Sequence, residues 1–377
     1  MTPRPSPLHV AIVGAGIVGL AHAVAALDAG HRVTVVEQDS AAVTASVRNF
    51  GHACVSVQAG EIGELAVRAR EIWLDLIDRT GLEARVSGTL AVARSAAEAA
   101  VLEDLAARDT AMPSELLTGS AAGRVLGTAG SAAEPRAGLL LPNDLTANPR
   151  TAVARIAAWV DAHERGEVRF ATTATAVGTG VLTTSRGAIR ADRIVVAAGH
   201  LLSRLLPGTA EAGEVRECAL QMTRVVAPAG LALGPAVLTG TSMLRYGAFA
   251  GPAAEALRAE ILRDRPELLE IGANVMFTHQ QDGTLLVGDS HEDFDSAPPF
   301  MHERWSRLLL DEAARVLGLG SGADFEVVER WQGVYATSAR QDLLVESPID
   351  GVTAVAVTTG VGMTVGLALG ERVVAGF

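Results

Sequence analysis

The chain has 377 residues, too many for one ordinary hydrophobic core, so two domains or one elaborated domain are expected. Its formal net charge of −12 argues against nucleic-acid binding. Although 49% of residues are hydrophobic and mean hydropathy is +0.28, no apolar run is long enough to span a membrane.

Other exclusions follow from residue types. The start MTPRPSPLH lacks an apolar signal core, which points to the cytoplasm. Cys54 and Cys218 supply neither a disulfide framework nor a metal cluster, so no metal is expected. All 31 basic residues are arginine. A Schiff base, a lysine general base and lysine-assisted oxygen activation are therefore excluded.

In chain order, His9–Glu37 reads as strand, glycine turn, helix and strand. Val10 to Val13 are apolar and mostly β-branched, as in a buried parallel strand. Gly14, Gly16 and Gly19 then fall in the pattern G-x-G-x-x-G, with Ile17 and Val18 opening the helix. The first glycine permits the tight turn, the second lets backbone approach a pyrophosphate, and the third lets helix pack on strand. The helix N-terminus offers unpaired N–H groups to phosphates. Val33 to Val36 form the second strand, and Glu37 ends it 18 positions after Gly19, placed to accept ribose hydroxyls, with Gln38 beside it. An acid there disfavours a 2′-phosphate, hence NADP. The pattern therefore reads as a dinucleotide site rather than a structural glycine turn.

Ser46–His52, SVRNFGH, follows as a loop that runs along the cofactor toward its reactive end or else lies at the surface. Glu61–Thr80 is expected as a helix, Val86–Ala93 as a strand and Ala96–Arg108 as a helix. GLLLPNDLTANP at 138–149 reads as a short strand and turn, and Pro149 can start a helix Arg150–Glu164. Strands are expected at Val168–Ala171, within 173–196 and at Ile194–Ala197, with Gly199 in the following turn. From about Glu214 to Glu326 the character changes. Glu217–Val226 and Ala236–Phe249 read as strands of an antiparallel sheet, and Pro252–Arg263 as a helix. Asp282-Gly283 lies between two β-rich runs as a hairpin turn, and Met301–Leu317 is a helix. Val352–Val357 is a buried strand that leads through Gly360, Gly362 and Gly366 into a final helix. No repeat or long linker is evident.

Five stretches occur in order: GAGIVG with Glu37, VVAAG at 195–199, GTLLVGD at 283–289, WQGVYATSARQD at 331–342 and TTGVGMTVGLALGE at 358–371. Together they resemble the D-amino-acid oxidase/glycine oxidase/sarcosine oxidase family of FAD-dependent amine oxidoreductases, across essentially the whole chain. RNFGH at 48–52 with QMTR, RYGAF, GDSHE and RWQGVY looks most like a subgroup linked to aminophosphonate catabolism. The resemblance implies an α/β fold: a Rossmann-like FAD-binding domain with an interleaved α+β substrate domain built on an antiparallel sheet. Expected segments are 1–85, 140–215 and 327–377 for the former, and 86–139 and 216–326 for the latter. FAD would lie extended, its pyrophosphate on Gly14–Gly19 and its ribose on Glu37. Adenine would meet backbone near Ala176 and Val177. Arg48, Asn49, Gly51, Ala198, Gly199 and Gly333 would complete the cofactor site. Gly360 and Gly362, with Met363 and Thr364, would bring a helix N-terminus to the flavin pyrimidine, where its dipole stabilises negative charge on the reduced ring.

Departures from the family pattern carry information. Covalent members place a flavin-bonding cysteine seven residues before the aspartate that Asp342 matches, which is Tyr335 here, so the resemblance implies noncovalent FAD. Sarcosine-type members place an oxygen-activating lysine four residues before the histidine that His291 matches, which is Val287 here. Oxygen activation then falls to His52, His279, an arginine or water, or the protein is a dehydrogenase. The carboxylate clamp of amino-acid-specific members falls at Tyr335 and Met276. An anionic substrate needs a relocated cation among Arg48, Arg245, Arg330 and Arg340, and Arg245 beside Tyr246 stands out. A surface role competes for each arginine, and a solvated or core role for each histidine. Cys54 reads as a buried small hydrophobe.

The expected catalytic residues are thus His52, His279 and Tyr335, and the substrate-binding residues Arg245, Tyr246, Met276 and Arg340. The implied reaction oxidises the C–N bond of a small anionic amine to an imine, with O2 as expected acceptor giving H2O2. The favoured substrate is an aminophosphonate, 2-aminoethylphosphonate or its N-methyl form. Alternatives are a glycine, sarcosine or D-amino-acid oxidase or dehydrogenase with a shifted clamp, an FAD-binding subunit of a heteromeric complex, or a hydroxylase using NAD(P)H. The stretches 283–289 and 358–371 argue against the last. Oligomeric state stays open.

Overall fold

A computed structural model describes residues 6–108 and 110–377. The first five residues of the start examined for a signal core, and of the segment 1–85, lie outside the described residues. A six-stranded sheet runs in the order Leu343–Ile349, Val352–Val357, Arg193–Val196, His9–Val13, Arg32–Val36, Val168–Arg169. All its pairings are parallel except that of the first strand with Val352–Val357. Four of the five residues of His9–Val13 and of Arg32–Val36 are buried, as near-continuous apolar strands covered on both faces should be.

The two glycine-rich stretches meet across this sheet. Helix Ile17–Asp28 and the final helix Gly362–Val374 pack directly on each other. A Cβ on Gly370 would come within 2.6 Å of the Ala21 carbonyl carbon, and one on Gly366 within 3.7 Å of a Val18 methyl. Small residues at four-residue spacing allow this approach. Helices Gly60–Thr80 and Pro149–Ala162 pack into the same core through Trp73, Leu76, Val153 and Ile156.

A nine-stranded, mostly antiparallel sheet forms the second layer. Its order is Glu292–Phe294, Arg216–Val226, Thr284–Gly288, Met276–His279, Ala236–Leu238, Thr89–Ala93, Ala137–Leu141, Glu115–Thr118, with Val327–Thr337 paired to Arg216–Val226. The fold is thus α/β, with a Rossmann-like sheet and an antiparallel one. Residues 327–337, placed above with the cofactor segments, hydrogen-bond into the second sheet. The hairpin turn stands at Asp282-Gly283, with Met276 opposite Gly288 and His279 opposite Leu285.

Two expectations need correction. Ala236–Phe249 is not one strand: only Ala236–Leu238 is extended, followed by tight turns at Ser242–Leu244 and Gly247–Phe249. The cause is hydroxyl chemistry. Thr239 Oγ1 and Ser242 Oγ donate to the Val275 carbonyl at 2.7 and 3.1 Å, and Thr241 Oγ1 accepts from the Val275 N–H at 2.8 Å. Side chains replace the strand ladder and the backbone turns away. Val86–Ala93 is likewise broken, into Ala84–Val86 and Thr89–Ala93, at Gly88 with φ +71°. Boundaries elsewhere shift by a few residues: the helix expected from Met301 starts at Glu303.

Candidate active site

A cavity of about 350 Å³ opens between the two sheets. It begins at the carboxyl ends of the parallel strands, lined there by Val13, Gly14, Val36, Glu37, Ala197 and Ala198, where open α/β sheets take ligands.

The glycine turn explains its own residues. Gly14 has φ +100°, and a Cβ on it would come within 2.5 Å of the Ala197 carbonyl oxygen. A Cβ on Gly19 would come within 1.9 Å of the Gly14 oxygen, so Gly19 shapes the turn from behind and does not line the cavity. A Cβ on Gly16 would meet only Ser46 Oγ, at 3.0 Å, so the space above Gly16 opens into the cavity. Ser46 Oγ also accepts from the Ile17 N–H at 2.9 Å, placing a hydroxyl at the helix N-terminus. Glu37 Oε2 accepts from the Ala15 N–H at 2.9 Å and Oε1 from the Asp39 N–H at 3.2 Å. Those bonds fix the carboxylate while each oxygen keeps a lone pair for a sugar hydroxyl. An open glycine turn, a helix N-terminus and a fixed acid fit a diphosphate-linked dinucleotide.

Other cofactor candidates divide. Ile17, Val18, Gln38, Arg48, Asn49, Gly199, Gly333, Gly360, Gly362, Met363 and Thr364 line the cavity. Asn49 does so with its polar atoms spent on its own turn: Nδ2 donates to the Ala45 and Ser46 carbonyls at 3.0 Å and Oδ1 accepts from Gly51 N–H at 2.7 Å. Gly51 lies off the wall, and its φ of +69° and the Ala147 oxygen behind it demand glycine. Val177 is also off the wall: it sits in the hairpin sheet Ala174–Gly178, Val181–Thr184, Gly187–Arg190. The wall at that end is Thr172, Thr173 and Ala174.

At the opposite end, Arg245, Tyr246, Met276 and Tyr335 come together with Asn274, Asp289 and His291. Arg245 Nη2 donates to Tyr335 Oη and to the Thr359 carbonyl, both at 3.1 Å. Arg245 lies deep in the fold yet is exposed, because its accessible surface faces the cavity. Burial opposes its charge, but Tyr335, Tyr246 and Asp289 hold its pKa above the ordinary value. Among the described residues no carboxylate comes within ion-pair distance of it, whereas 14 other arginines have one. Burial raises the Tyr335 phenol, opposed by Arg245, so it stays protonated. Its oxygen accepts from Arg245, and the Cys218 thiol on the paired strand is its other side-chain neighbour. Tyr246 Oη lies 3.6 Å from Met276 Sδ.

Asp289 is buried, at 4% exposure, and accepts from Asn274 Nδ2 at 3.1 Å. Burial pushes its carboxyl up to about 7, against Arg245 and Asn274, which favour the anion. His291 Nε2 lies 3.7 Å from Asp289 Oδ2, and its Nδ1 is 3.0 Å from the Gly272 carbonyl. Nδ1 is therefore the protonated nitrogen. Burial first, then Arg245, keeps this imidazole well below its usual range, hence neutral.

His52 lines the wall, its Nε2 2.7 Å from Thr89 Oγ1, which donates to Asp144 at 2.6 Å; its Nδ1 has no partner among the described residues. His279 does not reach the cavity. It lies three positions after Met276 on one strand, so alternation turns it to the other face, where Nδ1 accepts from the Leu233 N–H at 3.2 Å. Arg340 is also outside, exposed and donating to the Ala212 carbonyl at 3.0 Å. Arg330 pairs with Glu303 at 3.3 Å, away from the wall. Sequence reading missed Asn274 and Asp289 as site residues and placed Ser46 only as the start of the loop 46–52. Alternation back from Met276 would have found Asn274; Asp289, just past a strand end, gives no such signal.

Cys54 lines the wall too, but Gln58 Nε2 lies 3.3 Å from its sulfur, and burial pushes the thiol up to about 12. Among the described residues no cluster of ligating side chains could hold a metal, and no helix is long and apolar enough to cross a membrane.

Residues 9–375 match the family model described as DAO, FAD dependent oxidoreductase. The chain belongs to that family. This DAO-family protein is an FAD-dependent oxidoreductase of the amino acid oxidase type. Its fold is shared with glycine oxidase from Geobacillus kaustophilus, at TM-score 0.76 and 20% identity over 98% of this chain and 94% of that one. Glycine oxidase from Bacillus cereus ATCC 14579 gives TM-score 0.77 and 17% identity, over 98% and 95%. Iminodiacetate oxidase from Chelativorans sp. BNC1 gives 0.73 and 19%, over 97% and 95%. No curated protein matches the chain. In this DAO-family fold the glycine turn and Glu37 mark one end of the cavity and Arg245 with Asp289 the other.

Proposed function

We propose that this protein oxidises the C–N bond of a small amine bearing one anionic group, with an aminophosphonate as the favoured member and O2 as the acceptor. The observation that carries the reading is Arg245: a guanidinium facing the cavity, held by Tyr335 and Thr359, with no carboxylate paired to it among the described residues. A guanidinium fork suits a carboxylate or a phosphonate, and Tyr335, a protonated phenol beside Arg245, can turn its O–H to the same anion. The phosphonate preference rests on Met276 and Tyr335 standing where the carboxylate clamp is expected. Arg340, the other arginine expected at the substrate, gives it no support, because it lies outside the cavity.

FAD would lie along the wall, its diphosphate over Gly16 and the Ser46 hydroxyl, its ribose on Glu37 and its ring near Gly360–Thr364. Bound there, it supplies a two-electron acceptor for the substrate's C–H hydride. We read it as noncovalent, with Tyr335 at the family's attachment position and Cys54 a buried, protonated thiol. Of the histidines considered for oxygen activation, His52 lines the wall and His279 does not, which leaves His52, an arginine of the wall or a water for that role.

Peroxide release from the FAD-loaded lone chain tests the reading, on matched amines that differ only in carrying a phosphonate, a carboxylate or no anion. Turnover of the anionic amines above the uncharged one supports it, and a lead for the phosphonate supports the finer preference. A lead for the carboxylate rejects the phosphonate. Equal turnover of the uncharged amine rejects the anion site. Flavin reduction by amine without peroxide would assign a dehydrogenase.

A further inference from the structure

We propose that Asp289, oriented by Asn274, takes the proton from the substrate's ammonium group and so prepares the neutral amine for oxidation. The inference rests on the amine-oxidase reading above and adds a residue and a step to it.

Three observations converge. Asp289 lines the substrate end of the cavity, in the wall that also carries Arg245. An anion on Arg245 therefore leaves the amine of a short substrate beside Asp289. The acid is also built in: its Oδ1 accepts from Asn274 Nδ2 at 3.1 Å, and the two residues exchange backbone bonds at 2.8 and 2.9 Å. Finally, two acceptors here lack donors. Asn274 is 3% exposed and its Oδ1 has no partner, and neutral His291 presents Nε2 as an acceptor 3.7 Å from Asp289 Oδ2. An ammonium brings the N–H donors this corner lacks. Once protonated, Asp289 can in turn donate toward His291.

The step balances. One N–H bond of R–CH2–NH3+ breaks, its electron pair staying on nitrogen, and an O–H bond forms on Asp289. The amine, now neutral, can release hydride from the adjacent carbon, which the ammonium could not. Asp289 later returns the proton to solvent. The titratable groups facing Asp289 are Arg245, His291, Tyr246 and Tyr335. Arg245 favours the carboxylate, His291 is neutral, and both tyrosines stay protonated, so Asp289 is the group that titrates here near neutrality.

The test uses the FAD-loaded full chain, wild type, Asp289→Asn and Asn274→Ala. Infrared pH titration should show a carboxylic acid C=O band that fades as pH rises through about 7 and is missing in Asp289→Asn. With the best amine of the panel above, wild-type kcat/KM should rise through the same region. In Asp289→Asn that limb should vanish. Activity at neutral pH should fall about 10²- to 10⁴-fold and recover only where the amine itself deprotonates. Asn274→Ala removes a donor that favours the carboxylate, so its limb should move to higher pH; this decides the matter if Asp289→Asn fails to hold FAD. Asp289→Asn keeping both its limb near neutrality and its rate would overturn the proposal alone. If wild type shows the band but oxidises no amine, the substrate reading falls and the proposal with it.

Discussion

Arg245 and Asp289 each carry a consequence beyond the oxidation itself. Arg245→Ala should chiefly weaken binding of the anionic amine. A charge-assisted bond is worth about 1.5–3 kcal/mol, so apparent affinity should fall roughly ten- to a hundredfold. Steady-state kinetics should show this in KM before kcat, and the uncharged amine should be indifferent to the change. Asp289 also makes a prediction about stability. Its folded pKa of about 7 exceeds the ordinary 3.8, so the fold favours the neutral acid. The stability from that preference is fully present below about 3.8 and is lost as pH rises through about 7, up to about 4 kcal/mol in all. Asp289→Asn removes this loss. Thermal unfolding of the FAD-free chain should therefore show the variant gaining on wild type between pH 5 and pH 8. His291 acts with opposite sign: its depressed pKa gives stability present above about 6.5 and lost below it, so it reduces the wild-type slope near pH 6 without reversing the difference between the variants.

Among the elements, the segment after Ala236–Leu238 matters most, because its turns deliver Arg245. Thr241 Oγ1 accepts from the Val275 N–H, and both groups are buried. Thr241→Val keeps the shape and removes the acceptor, leaving an N–H without a partner at a cost of about 1–3 kcal/mol. Denaturant unfolding should show that loss, and KM for the anionic amine should rise because Arg245 lies four residues away on the same turns. The final helix is as sensitive in another way. Gly370→Val would drive a side chain into the backbone at Ala21–His22, where a Cβ already comes within 2.6 Å. The two helices that bear the glycine turn and the cavity-lining N-terminus at Gly362–Thr364 would be forced apart. The variant should lose FAD from its spectrum as well as stability, overpacking alone costing about 1–3 kcal/mol.

For the molecule as a whole, the site exists only because two sheets meet. The glycine turn follows a strand of the parallel sheet, Asn274 and Asp289 flank two strands of the antiparallel one, and Tyr335 lies on a strand from the chain's last quarter. A cofactor spanning that cavity should tie folding to binding. Saturating FAD at about a hundred times its Kd should add about 2.7 kcal/mol, read as a rise in Tm over the FAD-free protein. Acid precipitation should leave the flavin in the supernatant; flavin retained in the washed pellet would overturn the noncovalent reading. Gly16→Val closes the space above the turn and should abolish both the spectrum and the Tm response to FAD.

Read alone, the sequence determined the parts whose physics is local. Gly14, Gly16, Gly19 and Glu37 announce a dinucleotide site because a tight turn, a close phosphate and a ribose acid must follow one another at fixed spacing. Asp282-Gly283 announces its hairpin for the same reason, since the turn needs φ above zero, +79° at Gly283. Residue types alone excluded lysine chemistry. Tertiary structure decided what depends on contacts across the chain. Arg245 lines the cavity and Arg340 does not, although both are arginines near quoted motifs. Arg245 is turned inward by hydroxyls that bond Val275, 30 or more residues away, and Arg340 outward by the Ala212 carbonyl. Asp289 is an ordinary acid in the sequence. Burial pushes its carboxyl up to about 7 against the pull of Arg245 and Asn274, and burial is a property of the packed fold.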